Sequence, residues 1–292
     1  MLIDGKKIAN EIQKELKFSL DNISGPKPCL AVIIVGNHPP SLIYVSRKMQ
    51  ACAEVGIESI RIALPSEVSE EELILEIVKL NQNSRVNGIL LQLPLPQHIN
   101  PITVLREISP AKDVDGLHPF NVGKMLIGED DAFFPCTPYG IKILLERSNI
   151  DISGKHVVII GRSNLVGKPL AALLMQNTSG ANATVTVAHS RSENLKNICL
   201  TADIIVAAIG QPLFLKADMI KEGAVIIDVG INKINDSSQK AGYKIVGDVD
   251  FDEVKGKCSF ITPVPGGVGP MTIAVLLRNT FKSFIATQKS PS

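Results

Sequence analysis

An α/β protein built from two α/β units is the fold the sequence predicts, and three observations predict it. Short apolar, β-branched runs recur along the chain without polar alternation, as in strands covered on both faces. Stretches of helical spacing separate those runs, which calls for parallel sheets joined by crossover helices. A length of 292 residues and a hydrophobic content of 45% suit about two domains of roughly 150 residues, each with its own core.

The elements follow in order. MLIDGKKIANEIQKEL at the N-terminus reads as a helix start. It has neither an apolar signal core nor an Arg- and Ser-rich transit pattern, so the protein is expected to stay in the cytoplasm where it is made. Strands are expected at 30–36, 58–64 and 88–94, with helices at 41–56 and 69–82 between them. Segment 118–140 mixes Gly, Pro and acids and marks the join. Within it Thr137 followed by Pro138 reads as an N-cap and first-turn proline for a helix running to Ser148. The second half offers strands at 156–161, 183–189, 203–210, 224–230 and 258–264. A final amphipathic stretch, TIAVLLRNTFKSFI, follows Pro270, which stands near the first helical position. The tail QKSPS is expected to be disordered.

Composition removes several classes of function. A net charge of +1 gives no electrostatic case for nucleic acid or an anionic membrane surface. No apolar run approaches the roughly 18 residues of a membrane span. Five scattered cysteines without a CxxC argue for reduced, packed thiols. The histidines form no metal-binding spacing, so no metal is expected.

HVVIIGRSNLVGKPLAALL (156–174) reads as a buried strand, a tight turn and a helix. Gly161 ends the strand, Ser163 stands where GxGxxG has its second glycine, and Gly167 opens the helix. This is a variant Rossmann turn, in which helix-N-terminal amides receive a pyrophosphate. It is not a Walker motif, because Val166 replaces the required glycine and Pro169 follows Lys168. The next strand ends in His189-Ser190-Arg191, where an NAD site usually has an acid for the ribose hydroxyl. A hydroxyl and a guanidinium, with Arg162 in the turn as a second positive group, suit a 2′-phosphate instead, hence NADP. The competing reading of Arg191 is a solvated loop charge.

In helix 41–56, Leu42, Val45, Met49, Cys52 and Ala53 form the expected apolar stripe, with Arg47, Gln50 and Glu54 opposite. Tyr44 and Lys48, four residues apart, stack at the edge of that stripe. A partly desolvated lysine can serve as an acid, a base or a proton relay. From this helix alone, a lysine snorkelling past a packed tyrosine is the stronger alternative. Gln92 then interrupts an apolar strand at its C-terminal end, where open α/β sheets bind ligands. Its buried amide needs partners, which a ligand, Lys48 or nearby loop backbone would supply. KDVDG offers Asp113 and Asp115, either as an Asx-type turn or with one carboxylate holding an N–H-rich heterocycle. PVPGGVGPMT (263–272), rich in Gly and Pro and uncharged, is a shaped loop that fits no phosphate-loop pattern, so its expected partner is planar and bulky. A tight turn capping the following helix is the alternative.

Together these segments resemble the bifunctional methylenetetrahydrofolate dehydrogenase/methenyltetrahydrofolate cyclohydrolase family, FolD type. The likeness runs nearly end to end: YVSRK (44–48), GILLQLPLP (88–96), KDVDGLHPFNVGKM (112–125), FPCTPYG (134–140), GRSNLVGKP (161–169), VAHSR (187–191), DVGIN (228–232), GDVDF (247–251) and PVPGGVGPMT. A minor departure is AAIGQP (207–212), where a glycine-lysine pair is commoner. The resemblance implies oxidation of methylenetetrahydrofolate by hydride transfer to NADP, then hydrolysis of the methenyl cation to 10-formyltetrahydrofolate. Such an enzyme serves one-carbon metabolism and purine biosynthesis. By the same resemblance Lys48 handles the proton of the attacking water, and Gln92 bonds Lys48 and keeps it in the protonation state the step needs. Tyr44 stacks on the folate and Asp115 holds the pterin. Leu91, Leu93, Pro265, Gly266, Gly267, Val268 and Gly269 line the substrate site. NADP is implied to meet Thr137, Gly161, Arg162, Ser163, Val166, Gly167, His189, Ser190, Arg191, Gly210 and Ile231. The resemblance also implies a catalytic domain of 1–119 with the helix 271–292, a Rossmann domain of 120–270, a substrate cleft between them, and a homodimer formed through the Rossmann domain. With the chain ending at 292, no fused formate–tetrahydrofolate ligase is expected. Two other readings stand beside this one. A dehydrogenase-only member is disfavoured because Tyr44, Lys48 and Gln92 are all present. A non-catalytic dinucleotide sensor would leave the placement of Lys48 and Gln92 unexplained.

Overall fold

The structure, a computed structural model, describes residues 1–239 and 242–289. The chain forms two compact units: Met1–Asn10 with Pro135–Thr272, and Glu11–Phe134 with the chain from Ile273 on. The boundary therefore falls inside the first and last helices, α1 (Gly5–Asp21) and α10 (Val268–Lys289).

The unit beginning at Glu11 alternates β1 (Cys29–Val35), α2 (Pro39–Val55), β2 (Glu58–Leu64), α3 (Glu70–Gln82) and β3 (Gly88–Leu91), then adds α4 (Pro101–Arg106) and α5 (Pro119–Ile127). Its parallel sheet has the order β2-β1-β3. Every residue of β1 is buried, as its unbroken apolar run requires. β2 pairs with β1 alone and exposes Glu58, Ile60, Arg61 and Ala63, so the expectation of strands covered on both faces fails at this edge. Ser69 caps α3 reciprocally: its Oγ accepts from the Glu72 N–H, and Glu72 Oε2 accepts from the Ser69 N–H. The core joins Ile33, Leu73, Ile77, Ile89 and Leu91. Polar side chains of α10 supply donors to carbonyls of this unit. Asn279 donates to Val114 and Phe134, and Ser283 to Asn87 and Ala111.

In the other unit, α6 (Cys136–Arg147) leads into β4 (His156–Ile160), α7 (Gly167–Leu174), β5 (Thr184–Ala188), α8 (Leu195–Leu200), β6 (Ile204–Ala207) and β7 (Val225–Asp228). An antiparallel hairpin, β8 (Asn232–Asn235) and β9 (Tyr243–Val246), precedes α9 (Phe251–Val254) and β10 (Phe260–Ile261). The main sheet is parallel with order β10-β7-β6-β4-β5. Successive strands run to one side from β4 to β5 and to the other from β6 onward. The carboxyl ends of β4 and β6 thus form a topological switch point, where doubly wound sheets bind ligands.

Several boundaries differ from those the sequence predicts. The strands expected at 203–210, 224–230 and 258–264 end early, because the apolar run continues into the loops that leave the sheet. Thr137 is the second residue of α6 and not its N-cap, a position held by Pro135. Its Oγ1 lies 2.9 Å from Thr272 Oγ1 instead. Pro270 lies in the first turn of α10, which starts at Val268. Of the tail expected to be disordered, Gln288 and Lys289 are helical and the last three residues lie outside the described residues. All five cysteines are free thiols and four are buried. Burial pushes the Cys52 thiol up to about 12.

Candidate active site

Each unit presents its own set of candidate side chains. In the first, α2 carries Tyr44 and Lys48 one turn apart, both half-buried. The buried row of α2 is Ser41, Val45, Ala51, Cys52 and Val55. Ala53, expected in the apolar stripe, is exposed, and Leu42 and Met49 are half-buried. The stripe is rotated toward Cys52 and Val55, and Lys48 keeps its place at its edge.

β3 ends at Leu91, three residues before the predicted limit. The Gln92 N–H still donates to the Ile33 carbonyl at 2.9 Å, so the ladder reaches one residue further and fixes where the side chain starts. A cis peptide follows at Leu93–Pro94. Gln92 is half-buried, not enclosed. Its Oε1 accepts from Lys48 Nζ at 3.1 Å, and its Nε2 donates to the Leu93 carbonyl at 2.6 Å. Both partners foreseen in the sequence, Lys48 and loop backbone, are present together. The second bond sets the amide orientation, since Nε2 on a carbonyl leaves Oε1 for the lysine. Lys48 is thereby held by a neutral acceptor and forms no ion pair among the described residues. Leu91 belongs to the core, whereas Leu93 is half-exposed.

The two aspartates of KDVDG divide their work. Asp113, 1% exposed, accepts from the N–H groups of Leu117 and His118 and from Asn121 Nδ2. Burial pushes its carboxyl up to about 7 despite those three donors, which pull the other way. Asp113 is thus the Asx-type turn former. Asp115 is half-buried and has no hydrogen-bond partner among the described residues, as is also true of the Tyr44 hydroxyl. Asn121, which the sequence reading gave no role, is the buried clamp of this loop: it donates to Pro110 O and Asp113 and accepts from Phe133.

In the other unit the turn between β4 and α7 is made of close backbone. Gly161 has φ +128°, and a Cβ on Gly167 would lie 2.1 Å from the Gly161 carbonyl oxygen. Ser163, in place of a glycine, accepts from the Val166 N–H at 3.1 Å and braces the turn. Arg162 and Ser163 are exposed. After β5, the His189 N–H donates to Ser192 Oγ, and the Arg191 N–H donates to His189 Nδ1. Ser192 is a second residue the sequence reading passed over; a hydroxyl three residues after His189 was its only signal. Ser190 and Arg191 stay exposed, and neither Arg162 nor Arg191 forms an ion pair among the described residues. These residues fit a dinucleotide. A helix N-terminus stands at the switch point to receive phosphates, and two unpaired guanidiniums are available for a further phosphate. Gly210 and Ile231 are exposed after β6 and β7.

The Gly/Pro run is more internally packed than its composition suggested. Pro265, after a cis bond, is exposed and Gly266 has φ +107°, but Gly267 and Val268 are buried. A Cβ on Gly267 would lie 2.6 Å from the Pro263 carbonyl oxygen. The Gly266 carbonyl accepts from the Lys6 N–H at 2.9 Å. Of the five residues expected to face substrate, Pro265, Gly266 and Gly269 remain at least partly accessible. Among the described residues no group of three or more His, Cys, Asp or Glu side chains is placed to hold a metal, and no helix is long and apolar enough to cross a membrane.

Comparison with known proteins adds the chemistry of relatives. Residues 3–115 match the catalytic-domain model, and residues 135–288 the NAD(P)-binding-domain model, of tetrahydrofolate dehydrogenase/cyclohydrolase. The chain is 64% identical over 288 residues to the bifunctional protein FolD of Protochlamydia amoebophila, covering 99% of each. The crystal structure of the bifunctional enzyme FolD from Campylobacter jejuni is 47% identical, with a TM-score of 0.93 over 98% of this chain and 99% of that one. The Trypanosoma brucei methylenetetrahydrofolate dehydrogenase-cyclohydrolase, solved with NADP and an inhibitor, is 40% identical with a TM-score of 0.93, covering 99% of each.

Proposed function

The chain belongs to the tetrahydrofolate dehydrogenase/cyclohydrolase family, and on that premise we propose how its residues divide the work. It is the bifunctional enzyme: it oxidises 5,10-methylenetetrahydrofolate to 5,10-methenyltetrahydrofolate with NADP, then hydrolyses that cation to 10-formyltetrahydrofolate. NADP accepts the hydride from a carbon whose developing charge is shared by two flanking nitrogens, so no protein base is required and positioning suffices.

The observation that carries the assignment is Lys48 Nζ fixed at 3.1 Å on a neutral, orientation-locked Gln92 amide. In our reading Lys48 takes one proton from the water attacking the methenyl carbon and gives it to the departing ring nitrogen as the C–N bond opens, while the remaining hydroxyl proton is released to solvent as the formyl C=O forms. Tyr44 stacks on the folate. Asp115, the unpartnered carboxylate of its loop, accepts from pterin N–H groups, with Leu93 assigned to the same ligand and Leu91 left to the core. Of the Gly/Pro run, the accessible Pro265, Gly266 and Gly269 are assigned to substrate binding, and the buried Gly267 and Val268 are not. NADP is assigned to Gly161–Gly167 for the pyrophosphate, to Arg162, Ser190 and Arg191 for the 2′-phosphate, and to Thr137, His189, Gly210 and Ile231 for the remainder. We take the catalytic domain as 1–119 with 271–292 and the Rossmann domain as 120–270, except that residues 1–10 group with the nucleotide-binding unit and residues 120–134 with the catalytic one. We take the working form as a cytoplasmic homodimer joined through the nucleotide-binding unit.

The test is Lys48→Met assayed for both activities. Loss of methenyltetrahydrofolate hydrolysis with NADP reduction retained is expected. Hydrolysis at the wild-type rate would remove Lys48 from the mechanism.

A further inference from the structure

Two buried carboxylates of the nucleotide-binding unit have no part in this chemistry. Asp228 ends β7 and Asp248 follows β9, and they are 3% and 0% exposed. Asp248 Oδ2 accepts from two consecutive N–H groups, Ile209 at 2.7 Å and Gly210 at 2.9 Å, while its Oδ1 accepts from Asn232 Nδ2 at 2.8 Å. Asp228 Oδ1 accepts from the N–H groups of Gly230 and Asp248, both at 2.9 Å, and Oδ2 from Val249 at 3.0 Å. Neither carboxylate has a cationic partner among the described residues. The backbone closes directly on the pair, since a Cβ on Gly247 would lie 1.7 Å from Asp228 Oδ2.

Burying two neighbouring carboxyl groups without a cation is a costly way to shape a turn. What a carboxylate offers over an amide is acceptor capacity on both oxygens and no donor to dispose of. Asp248 uses it to join the loop Ile209–Gly210, which leaves the carboxyl end of β6, to Asn232, the first residue of β8, where the loop leaving the adjacent strand β7 ends. Asp228 holds Gly230 on the near side of the second loop and Asp248 itself. Between the two anchors lies Ile231, an isoleucine 51% exposed. A large apolar side chain pinned on both flanks and left in solvent at a ligand-binding sheet edge has the character of a contact awaiting its partner.

We propose that Asp248, itself held by Asp228, is the positioning residue that joins the loops after β6 and β7 and so presents Gly210 and Ile231 to NADP. This rests on the reading that those two residues contact the cofactor. In Asp248→Asn the new amide turns a donor either toward the two backbone N–H groups or toward Asn232, whose own amide must then turn over to accept it. In the swap Asp248→Asn with Asn232→Asp, the donor meets a carboxylate and the pairing is restored. NADP dissociation constants and steady-state kinetics would be measured for wild type, both variants and Ile231→Ala, with thermal unfolding to check the fold. The expected result is a KM and Kd for NADP raised roughly tenfold or more in Asp248→Asn, a smaller fall in kcat, and recovery of most of the loss in the swap. Wild-type NADP affinity in folded Asp248→Asn, or a loss that the swap does not recover, would overturn the proposal. If Asp248→Asn does not fold, Asn232→Ala breaks the inter-loop bond while leaving both carboxylates; a raised KM for NADP is expected, and a wild-type KM overturns the idea. Ile231→Ala separates the two claims. If it binds NADP as wild type does, the contact reading fails; if it binds weakly while Asp248→Asn does not, the positioning role alone fails.

Discussion

At the scale of single residues, the proposed hydrolytic step turns on one amide. Gln92 can offer Oε1 to Lys48 because its Nε2 is occupied by the Leu93 carbonyl. Gln92→Met keeps the volume and removes the acceptor, leaving Lys48 free to swing. Methenyltetrahydrofolate hydrolysis, followed by loss of its absorbance, is expected to fall about 10- to 100-fold, with dehydrogenation affected less. An unchanged hydrolysis rate would show that the bond is ornamental. In the proposed assignment Arg191 carries the cofactor preference. A charge-assisted contact to phosphate is worth about 1.5–3 kcal/mol, so Arg191→Ala should raise KM for NADP at least about tenfold and leave KM for NAD where it was. Equal changes for both cofactors would take the 2′-phosphate away from Arg191. Tyr44, Lys48 and Gln92 were legible in the sequence because helical spacing and an interrupted apolar strand are local patterns. The choice between Asp113 and Asp115 was not, because two residues apart in one loop they differ only in which N–H groups come to meet them.

At the scale of elements, the turn from β4 into α7 works by backbone contact. The Gly167 position is closed by a carbonyl oxygen, and backbone cannot step aside as a side-chain tip would. Gly167→Ala is therefore expected to cost about 1–3 kcal/mol or more and to lower the unfolding midpoint. It should also weaken NADP binding, because Gly161 and the start of α7 move together. A variant with wild-type midpoint and NADP affinity would show that the turn relaxes without cost. Most strands were readable from their apolar runs, but their ends were not. A residue such as Ile209 is as apolar as the strand it leaves, but its N–H turns to Asp248 Oδ2 and not to a neighbouring strand. The hairpin β8–β9 escaped because NKIN and YKIV are short and partly polar, and pair only with each other.

At the scale of the whole molecule, the buried carboxyl groups set a pH dependence of stability. Burial raises Asp113 to about 7 and Asp228 to about 6 from an ordinary value of 3.8. A raised carboxyl pKa means the folded protein holds protons the unfolded chain has released. This contribution is fully present below about pH 4 and is lost as the pH climbs through about 7. Urea unfolding should therefore show wild type losing stability relative to Asp113→Asn across that interval, and parallel profiles would refute the shift. The sequence by itself determined the alternation of strands and helices, the Rossmann turn and the spacing of Tyr44 and Lys48, because periodicity and turn chemistry act between neighbours along the chain. Only the tertiary structure decided that Asp113 is spent on its loop while Asp115 is free, that Asp248 joins two strand ends, and that Ser283 serves a carbonyl 196 residues away. A buried polar group must find its partner wherever folding brings one within reach, and that partner's position in the chain leaves no periodic mark.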